Sequence, residues 1–316
     1  MTSLSRRDFS KLAVVAGAAI GRLNAAGLRN TGSIDDTLRT GIERRRIPAV
    51  TAMVATADSI LYQGAFGKRD ASTGTPAKID SIFAIASMTK AITSTAALQL
   101  VDQGKVKLDE PASKFLPDLK DIQVFEGVDS SGKPKLRPAR KAVTLRHLLT
   151  HTSGLCYDTW SQEMQDWIKA GGTPPSGVAP KVPLMFDPGA RWQYGYGLDY
   201  SGKLVEAVSG LTLEQYFQQN IFQPLGMVDT TYENKPEKRD RTVSRYDYQP
   251  DGSFKEQSRD FPTNLFNGGG GLNSTVGDYI KFTQMILRNG RGADGKQILR
   301  PGTVKQMSSN QIGGLG

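Results

Sequence analysis

The sequence is poor in the residues that several chemistries require. Its 316 residues include one cysteine, Cys156, and two histidines, His147 and His151. A single cysteine excludes an internal disulfide, and no cysteine-protease histidine motif accompanies Cys156, so we expect a small buried side chain. The histidines are four residues apart, but no glutamate lies between them in a zinc-protease pattern. We therefore predict that both histidines are structural, and we assign no metal and no cofactor.

Long apolar runs and blocks of like charge are also absent. The net charge is +9, but acidic residues are interleaved with the basic ones. A nucleic-acid binder gathers its basic residues on one face, and the sequence shows no such gathering. The glycines at 268–271 are not followed by the G-K-[ST] of a phosphate loop. We therefore expect neither a nucleic acid nor a phosphate ligand.

The first residues resemble an export signal. Ser5-Arg6-Arg7-Asp8-Phe9 precedes a weakly apolar run over residues 12–20, an order typical of twin-arginine signals. The run is too short to cross a bilayer, which takes about 20 residues, so we expect no stable membrane span. We predict a signal over residues 1–26, a hydrolase domain over residues 27–316, and a periplasmic or secreted destination. A helical N-terminal arm is the alternative.

Turn residues, caps and apolar periodicity divide the rest of the chain into elements. Two β-rich segments, 49–56 and 59–66, flank Ala57-Asp58 and predict a hairpin. Asp129-Ser130-Ser131-Gly132 predicts the tip of another. Helices are predicted over residues 33–45, with Ser33 as the cap, and over 87–103, 144–150, 198–208, 212–222, 274–288 and 301–309. Residues 156–190 and 232–263 are predicted to be irregular.

Ser87-Met88-Thr89-Lys90 opens one of these helices and has the S-x-x-K spacing. Residues three apart share a helix face, so the Lys90 amine can reach the Ser87 hydroxyl. Serine becomes an effective nucleophile when a neighbouring base takes its proton, and the positive end of the helix dipole stabilises a developing anion. The motif is short, and a helix-capping serine with a solvent-facing lysine is the alternative.

The motif does not stand alone. Residues 83–90, followed by a helix of small apolar residues over 91–101, resemble the nucleophile helix of serine β-lactamases and penicillin-binding proteins. Further segments are similar, in the same order, to the class C β-lactamase and family VIII esterase group: 144–155, 188–189 with 192–194, 199–206, 224–227, and 270–272 with Asp278. The resemblance runs from about residue 33 to the end of the chain.

The resemblance implies roles for three side chains. Ser87 would form the acyl-enzyme, Lys90 would take its proton, and Tyr194 would carry a proton to or from the leaving group. Tyr196 competes for the tyrosine role, and we prefer Tyr194 because it follows Trp192 by two residues, as in the family pattern. The backbone N–H of Ser87 would supply half of an oxyanion hole.

The resemblance also implies the fold, an α/β (α+β) architecture with an antiparallel sheet flanked by helices and a mostly helical subdomain. The family carries a K-T-G, H-x-G or W-x-G motif on a C-terminal strand, and none occurs before Gly316. We therefore expect the last strands and the second oxyanion donor to be missing. We also expect the truncated chain by itself to be inactive.

Position 196 separates the function hypotheses. β-Lactamases of this group carry asparagine two residues after the catalytic tyrosine, where it contacts the substrate amide, and here that residue is Tyr196. The first hypothesis is therefore a serine hydrolase of the carboxylesterase type, acting on short acyl esters. The alternatives are a β-lactamase or D-Ala-D-Ala carboxypeptidase, and a catalytically silent binding protein of the same fold. A small-molecule ester or amide is the expected substrate, and the oligomeric state is left open.

Overall fold

The structure, a computed structural model, describes residues 31–233, 235–257 and 265–315. The expected export signal over residues 1–26 lies outside the described residues. The chain divides after Ile79 into two compact units.

A helix and a small antiparallel sheet make up the described part of the first unit. They are α1 (Gly32–Arg45), β1 (Ala49–Ala55), β2 (Ile60–Asp70) and β3 (Thr75–Pro76), with the strands in the order β1-β2-β3. The Tyr62 hydroxyl on β2 donates to a carboxylate oxygen of Asp35 on α1 at 2.7 Å. This hydrogen bond fastens the helix to the sheet.

The hairpin predicted over residues 49–66 is confirmed, with Ala52 of β1 opposite Gly64 of β2. Strand β2 continues past residue 66 because Lys68 pairs with Pro76 of β3. The prediction of Ser33 as the helix cap is wrong. Helix α1 begins at Gly32, and the Ser33 carbonyl accepts a hydrogen bond from the Thr37 hydroxyl one turn later.

The second unit combines helices with short strand pairs. Its helices are α2 (Thr89–Asp102), α3 (Leu145–Leu149), α4 (Gln162–Lys169), α5 (Gly197–Ser209), α6 (Leu213–Phe217), α7 (Gln223–Leu225), α8 (Val276–Leu287) and α9 (Pro301–Met307). Turns of 3₁₀-helix cover Ala86–Met88, Ala112–Lys114, Pro117–Leu119 and Pro236–Arg241, and a π-turn covers Gln218–Phe222. The strands pair antiparallel, β4 (Phe83–Ala84) with β9 (Asn273–Ser274), β5 (Gln123–Val128) with β6 (Pro134–Pro138), and β7 (Tyr246–Tyr248) with β8 (Phe254–Glu256). Within the ranges that the structure describes, no helix has both the length and the apolarity needed to span a bilayer.

Helix α2 lies in the apolar core of this unit. Ile92 and Leu100 are fully buried on it, and Leu148 of α3 and Leu204 of α5 are fully buried in the same cluster. Burial of each such side chain contributes about 1.5–3 kcal/mol. The core therefore fixes the position of α2, which carries Lys90 in its first turn.

The predicted helices of this unit are confirmed with small shifts of their ends, except that residues 212–222 divide into α6 and the π-turn. The predicted tip at residues 129–132 joins β5 to β6. There Asp129 Oδ1 accepts from the backbone N–H groups of Ser131 and Lys133, and Gly132 has a φ of +79°.

Two segments predicted to be irregular contain regular structure. Residues 156–190 include α4, which begins where the Ser161 hydroxyl accepts from the Met164 N–H at 3.3 Å. Residues 232–263 include the β7–β8 hairpin. Both elements are hard to recognise from composition. Helix α4 is mostly polar and buries only Met164 fully, and β7 and β8 are largely exposed.

Candidate active site

Ser87 lies exposed in a strained turn directly before α2. Its neighbour Ala86 has a φ of +43°, a left-handed conformation that costs a residue with a side chain about 1–2 kcal/mol. The Ile85 N–H donates to the Leu272 carbonyl at 2.9 Å and holds the turn in place. Backbone strain maintained by its surroundings is common where a side chain is presented to a ligand.

Lys90 follows one helical turn later and contacts Ser87. Its Nζ atom donates to Ser87 Oγ at 3.1 Å and to the Gly269 carbonyl oxygen at 2.6 Å. The first contact is the one expected from the S-x-x-K spacing. The second comes from a residue far along the chain, and no sequence pattern predicted it. Together they fix the position of the amine.

Tyr194 also contacts the Ser87 hydroxyl. Its Oη atom lies 2.8 Å from Ser87 Oγ, and its ring centroid lies 4.8 Å from Lys90 Nζ. Tyr196 packs against Tyr157, with ring centroids 4.3 Å apart. The structure thus brings Ser87, Lys90 and Tyr194 together, with the tyrosine register that the sequence favoured.

The backbone around Tyr194 is packed too tightly for additional side-chain atoms. A Cβ atom on Gly195 would lie 1.9 Å from the Leu155 carbonyl oxygen, and one on Gly197 would lie 2.2 Å from the Leu148 carbonyl oxygen. Both contacts are with backbone, which cannot rotate aside as a flexible side chain can. The two glycines therefore permit the close approach that carries Tyr194 to Ser87.

Gly195→Ala is expected to destabilise the protein by about 1–3 kcal/mol or more, the cost typical of overpacking. Gly302→Ala in α9 is the matched control, since a Cβ atom there would have nothing within 4 Å, and it should be neutral or stabilising. Urea unfolding of both variants measures the difference. Equal stability of the two variants would contradict this account of the packing.

A buried carboxylate lies beside these groups. Asp199, in the first turn of α5, is 2% exposed and accepts a hydrogen bond from the Tyr157 hydroxyl at 3.1 Å. Burial raises the pKa of Asp199, and the charge of Lys90 and the Tyr157 hydrogen bond oppose that rise. Burial, and then the charge of Asp199, raise the pKa of Tyr157 far above its usual value. Sequence reasoning assigned no role to either residue; the available signal was an acidic residue between Leu198 and Tyr200 in a fully buried helix turn.

The two histidines accept hydrogen bonds from the backbone near the site. His147 Nδ1 accepts from the Thr144 N–H at 3.3 Å within the cap of α3, and His151 Nδ1 accepts from the Gly195 N–H at 3.3 Å. The His151 ring packs on Tyr194, with centroids 4.8 Å apart. Burial, and then a nearby positive charge, lower the pKa of His151 to about 4, so this ring is neutral at pH 7. In the described part of the chain, no three His, Cys, Asp or Glu side chains cluster as metal ligands would.

Cys156 is buried next to Leu155 in the same segment. Burial raises the pKa of its thiol to about 12. A thiolate is the reactive form of cysteine, so Cys156 is inert at neutral pH, as expected from the sequence.

Ser87 lines a cleft of about 480 Å³. The lining includes the glycines 269–271, Tyr232 and Val178, together with Arg245. This volume is typical of a site for a small molecule. A hydroxyl that contacts both an amine and a phenol can lose its proton to the amine, and the phenol can protonate the group that leaves the substrate. The arrangement is therefore suited to acyl transfer through the serine.

A charged cluster anchors the segment that leads to Ser87. The Ile82 N–H donates to the Arg241 carbonyl at 2.8 Å, immediately before β4. The Arg241 guanidinium donates to Asp229 at 2.9 Å, and Lys238 Nζ lies 2.9 Å from the same carboxylate. The Arg241 hydrogen bond chiefly, and Lys238 in addition, lower the pKa of Asp229 to about 2 against the opposing effect of burial.

Stability is expected to fall between about pH 4 and pH 2 as Asp229 takes up a proton. Its pKa is lower in the folded protein than in the unfolded chain, so the carboxylate stabilises the fold above about pH 4, and this contribution is lost as the pH falls through about 2. We expect Asp229→Asn to lose roughly 1–2 kcal/mol at pH 7 and to respond less to acid than the wild type. Urea unfolding at pH 7 and pH 3 tests both points. Identical pH dependence in the two proteins would contradict them.

The sequence model of the family described as Beta-lactamase matches residues 34–315 of the chain. The chain belongs to this family. The matched residues include the S-x-x-K pair Ser87 and Lys90, and Tyr194 as well.

Two relatives of the chain have names that describe reactions of acyl groups. The monacolin J acid methylbutanoyltransferase of Aspergillus terreus is 35% identical over 292 residues, which are 87% of this chain and 69% of that protein. The lovastatin esterase of Penicillium rubens is 31% identical over 302 residues, which are 89% of this chain and 73% of that protein. This β-lactamase-family protein therefore belongs to a superfamily of serine hydrolases and acyltransferases.

Solved structures confirm the expected β-lactamase-like α/β fold. A mutant of simvastatin synthase from Aspergillus terreus matches with a TM-score of 0.76 and 35% identity, covering 90% of this chain and 72% of that one. EstCE1, described as a hydrolase with promiscuous acyltransferase activity, matches with a TM-score of 0.70 and 20% identity, covering 88% of this chain and 76% of that one. At that identity the second match shows the fold alone.

Proposed function

We propose that this protein is a carboxylesterase that acts through an acyl-enzyme on Ser87. One hydroxyl in contact with both an amine and a phenol carries the proposal: Ser87 Oγ lies 3.1 Å from Lys90 Nζ and 2.8 Å from Tyr194 Oη. A carboxylic ester supplies the carbonyl carbon that such a serine attacks. The cleft beside Ser87 supplies the space for a short acyl group.

In acylation, Ser87 Oγ attacks the ester carbonyl while its proton passes to Lys90 Nζ. A C–O bond forms to Oγ, and the carbonyl electron pair moves onto the oxygen, which the Ser87 N–H stabilises at the N-terminal end of α2. When the carbonyl re-forms, the bond to the alcohol oxygen breaks and Tyr194 protonates that oxygen. The proton held by Lys90 then restores Tyr194. The alcohol leaves and the acyl group stays on Ser87.

Deacylation runs through the same groups with water as the nucleophile. Water loses a proton to the base formed by Lys90 and Tyr194 and attacks the acyl carbonyl. The bond from the acyl carbon to Ser87 Oγ breaks, and the serine oxygen takes the proton back. The products are a carboxylic acid and the free enzyme.

Ester hydrolysis is expected to exceed β-lactam hydrolysis. Tyr196 packs on Tyr157 and presents no side-chain amide to a lactam substrate. Loss of one such hydrogen bond, at about 1–1.5 kcal/mol, corresponds to roughly tenfold in kcat/KM. The measurement compares kcat/KM for a short p-nitrophenyl ester with that for nitrocefin, in the wild type and in Tyr196→Asn. Faster nitrocefin turnover by the wild type would reverse the ranking.

Acyl transfer to an alcohol is the second candidate, because one 35%-identical relative is named as a methylbutanoyltransferase. Transferase and esterase would share the acyl-enzyme and differ in the hydroxyl that removes the acyl group. Incubation with an activated ester and increasing concentrations of a hydrophobic alcohol separates them by product mass. Product ester in excess of free acid at millimolar alcohol favours the transferase, and free acid alone favours the carboxylesterase.

A further inference from the structure

Asp199 is a buried charge for which the proposed chemistry has no step. It is 2% exposed, and the Tyr157 hydroxyl donates to its Oδ2 atom at 3.1 Å. Gly269 lies directly against it, since a Cβ atom on Gly269 would come within 2.5 Å of Asp199 Oδ2. Burying a carboxylate is costly unless hydrogen bonds and opposite charge compensate.

The groups that surround Asp199 also contact Lys90. The Gly269 carbonyl accepts a hydrogen bond from Lys90 Nζ at 2.6 Å, and the Tyr157 ring centroid lies 5.6 Å from the same atom. The Asn267 side chain acts on both groups, because its Oδ1 accepts from the Gly269 N–H at 2.7 Å and the side chain lowers the pKa of Asp199. The carboxylate therefore lies behind the groups that fix the amine.

We propose that Asp199 is a positioning residue: it holds Tyr157 and Gly269 against Lys90 and supplies the buried negative charge that stabilises the ammonium formed during acylation. The inference rests on the proposed function, in which Lys90 takes the Ser87 proton. A charge in surroundings of low dielectric acts on a neighbouring cation far more strongly than a charge in water. Asp199 acts through its neighbours and by its field, and it takes no proton from the substrate.

The other titratable groups that face Lys90 are His151, Tyr157 and Tyr194. Burial lowers the pKa of His151 to about 4 and raises that of Tyr157. Both groups are therefore neutral between about pH 5 and pH 9. Over this range, neither His151 nor Tyr157 changes the charge that acts on Lys90, whereas the substitution of Asp199 by asparagine does.

The test uses Asp199→Asn in the full-length protein. Asparagine keeps the shape and the oxygen that accepts from Tyr157 but removes the charge. The readouts are the pH dependence of Ser87 labelling by a fluorophosphonate, and kcat and KM for a short p-nitrophenyl ester. We expect the acid limb of the profile to move roughly one pH unit lower, because the ammonium has lost its counter-charge. We expect kcat to fall about tenfold with little change in KM.

Asp278→Asn is the matched control. Asp278 is also a buried carboxylate, 3% exposed, but its hydrogen-bond partners are Asp229, Thr230 and Lys281. The acid limb of the labelling profile of Asp278→Asn should coincide with that of the wild type. Tyr157→Phe removes only the hydroxyl that donates to Asp199, which then takes up a proton more readily. It should shift the limb in the same direction by less, and it keeps the test decisive if Asp199→Asn does not fold.

An acid limb unchanged in folded Asp199→Asn would overturn this inference and leave the proposed function standing. An equal shift in Asp278→Asn would overturn it as well, since any buried carboxylate would then have the same effect. Absence of labelling in the wild type would overturn the inference and the proposed function together.

Discussion

Ser87→Ala is expected to lower the kcat of ester hydrolysis by about 10⁴-fold or more, because the covalent route is lost with the hydroxyl. The side chain is exposed, so the free energy of unfolding should hardly change. Intact-mass spectrometry after fluorophosphonate treatment should show one adduct on the wild-type protein, mapped to Ser87, and none on the variant. Ser94→Ala, a change of the same kind on α2, should label and turn over like the wild type.

Two results would count against Ser87 as the nucleophile. Labelling that survives Ser87→Ala, or an adduct mapped to another residue, would move the chemistry elsewhere. A folded wild-type protein that neither labels nor hydrolyses any activated ester would favour the silent binding protein over both acyl-transfer hypotheses.

Lys90→Ala and Tyr194→Phe are each expected to lower kcat by about 10²–10⁴-fold, the effect usual for a lost general acid or base. Tyr194→Phe removes only the oxygen that lies 2.8 Å from Ser87 Oγ, so the thermal midpoint should change little. Steady-state kinetics with a p-nitrophenyl ester, together with thermal unfolding, checks both expectations.

Tyr196→Phe is the matched control for Tyr194→Phe, since it also removes a phenol hydroxyl, two residues further along the chain. The Tyr196 ring packs on Tyr157, and its variant should retain nearly full esterase activity. If Tyr196→Phe lost activity while Tyr194→Phe kept it, the register of the tyrosine motif would be wrong.

Local elements of this protein follow from short-range patterns, and the exceptions have physical causes. The hairpin over β1 and β2 was predictable because two β-rich segments and the Ala57-Asp58 turn between them lie within about twenty residues. Helix α4 was missed because it spans only eight residues in a stretch where Gly171-Gly172 and Pro174-Pro175 indicate turns. The Ser161 cap that begins α4 was visible in the sequence and would have located it.

The sequence by itself determined the pairing of Ser87 with Lys90, because helix geometry brings residues three apart onto one face. The family resemblance extended this to Tyr194, and no periodicity could have done so. The tyrosine lies 107 residues from Ser87, and the Gly269 carbonyl lies 179 residues from Lys90. These contacts, and the burial of Asp199, depend on how the helices pack and on glycines that let backbone segments meet. Short-range patterns encode local conformation only, so the surroundings of the amine were decided by the tertiary structure alone.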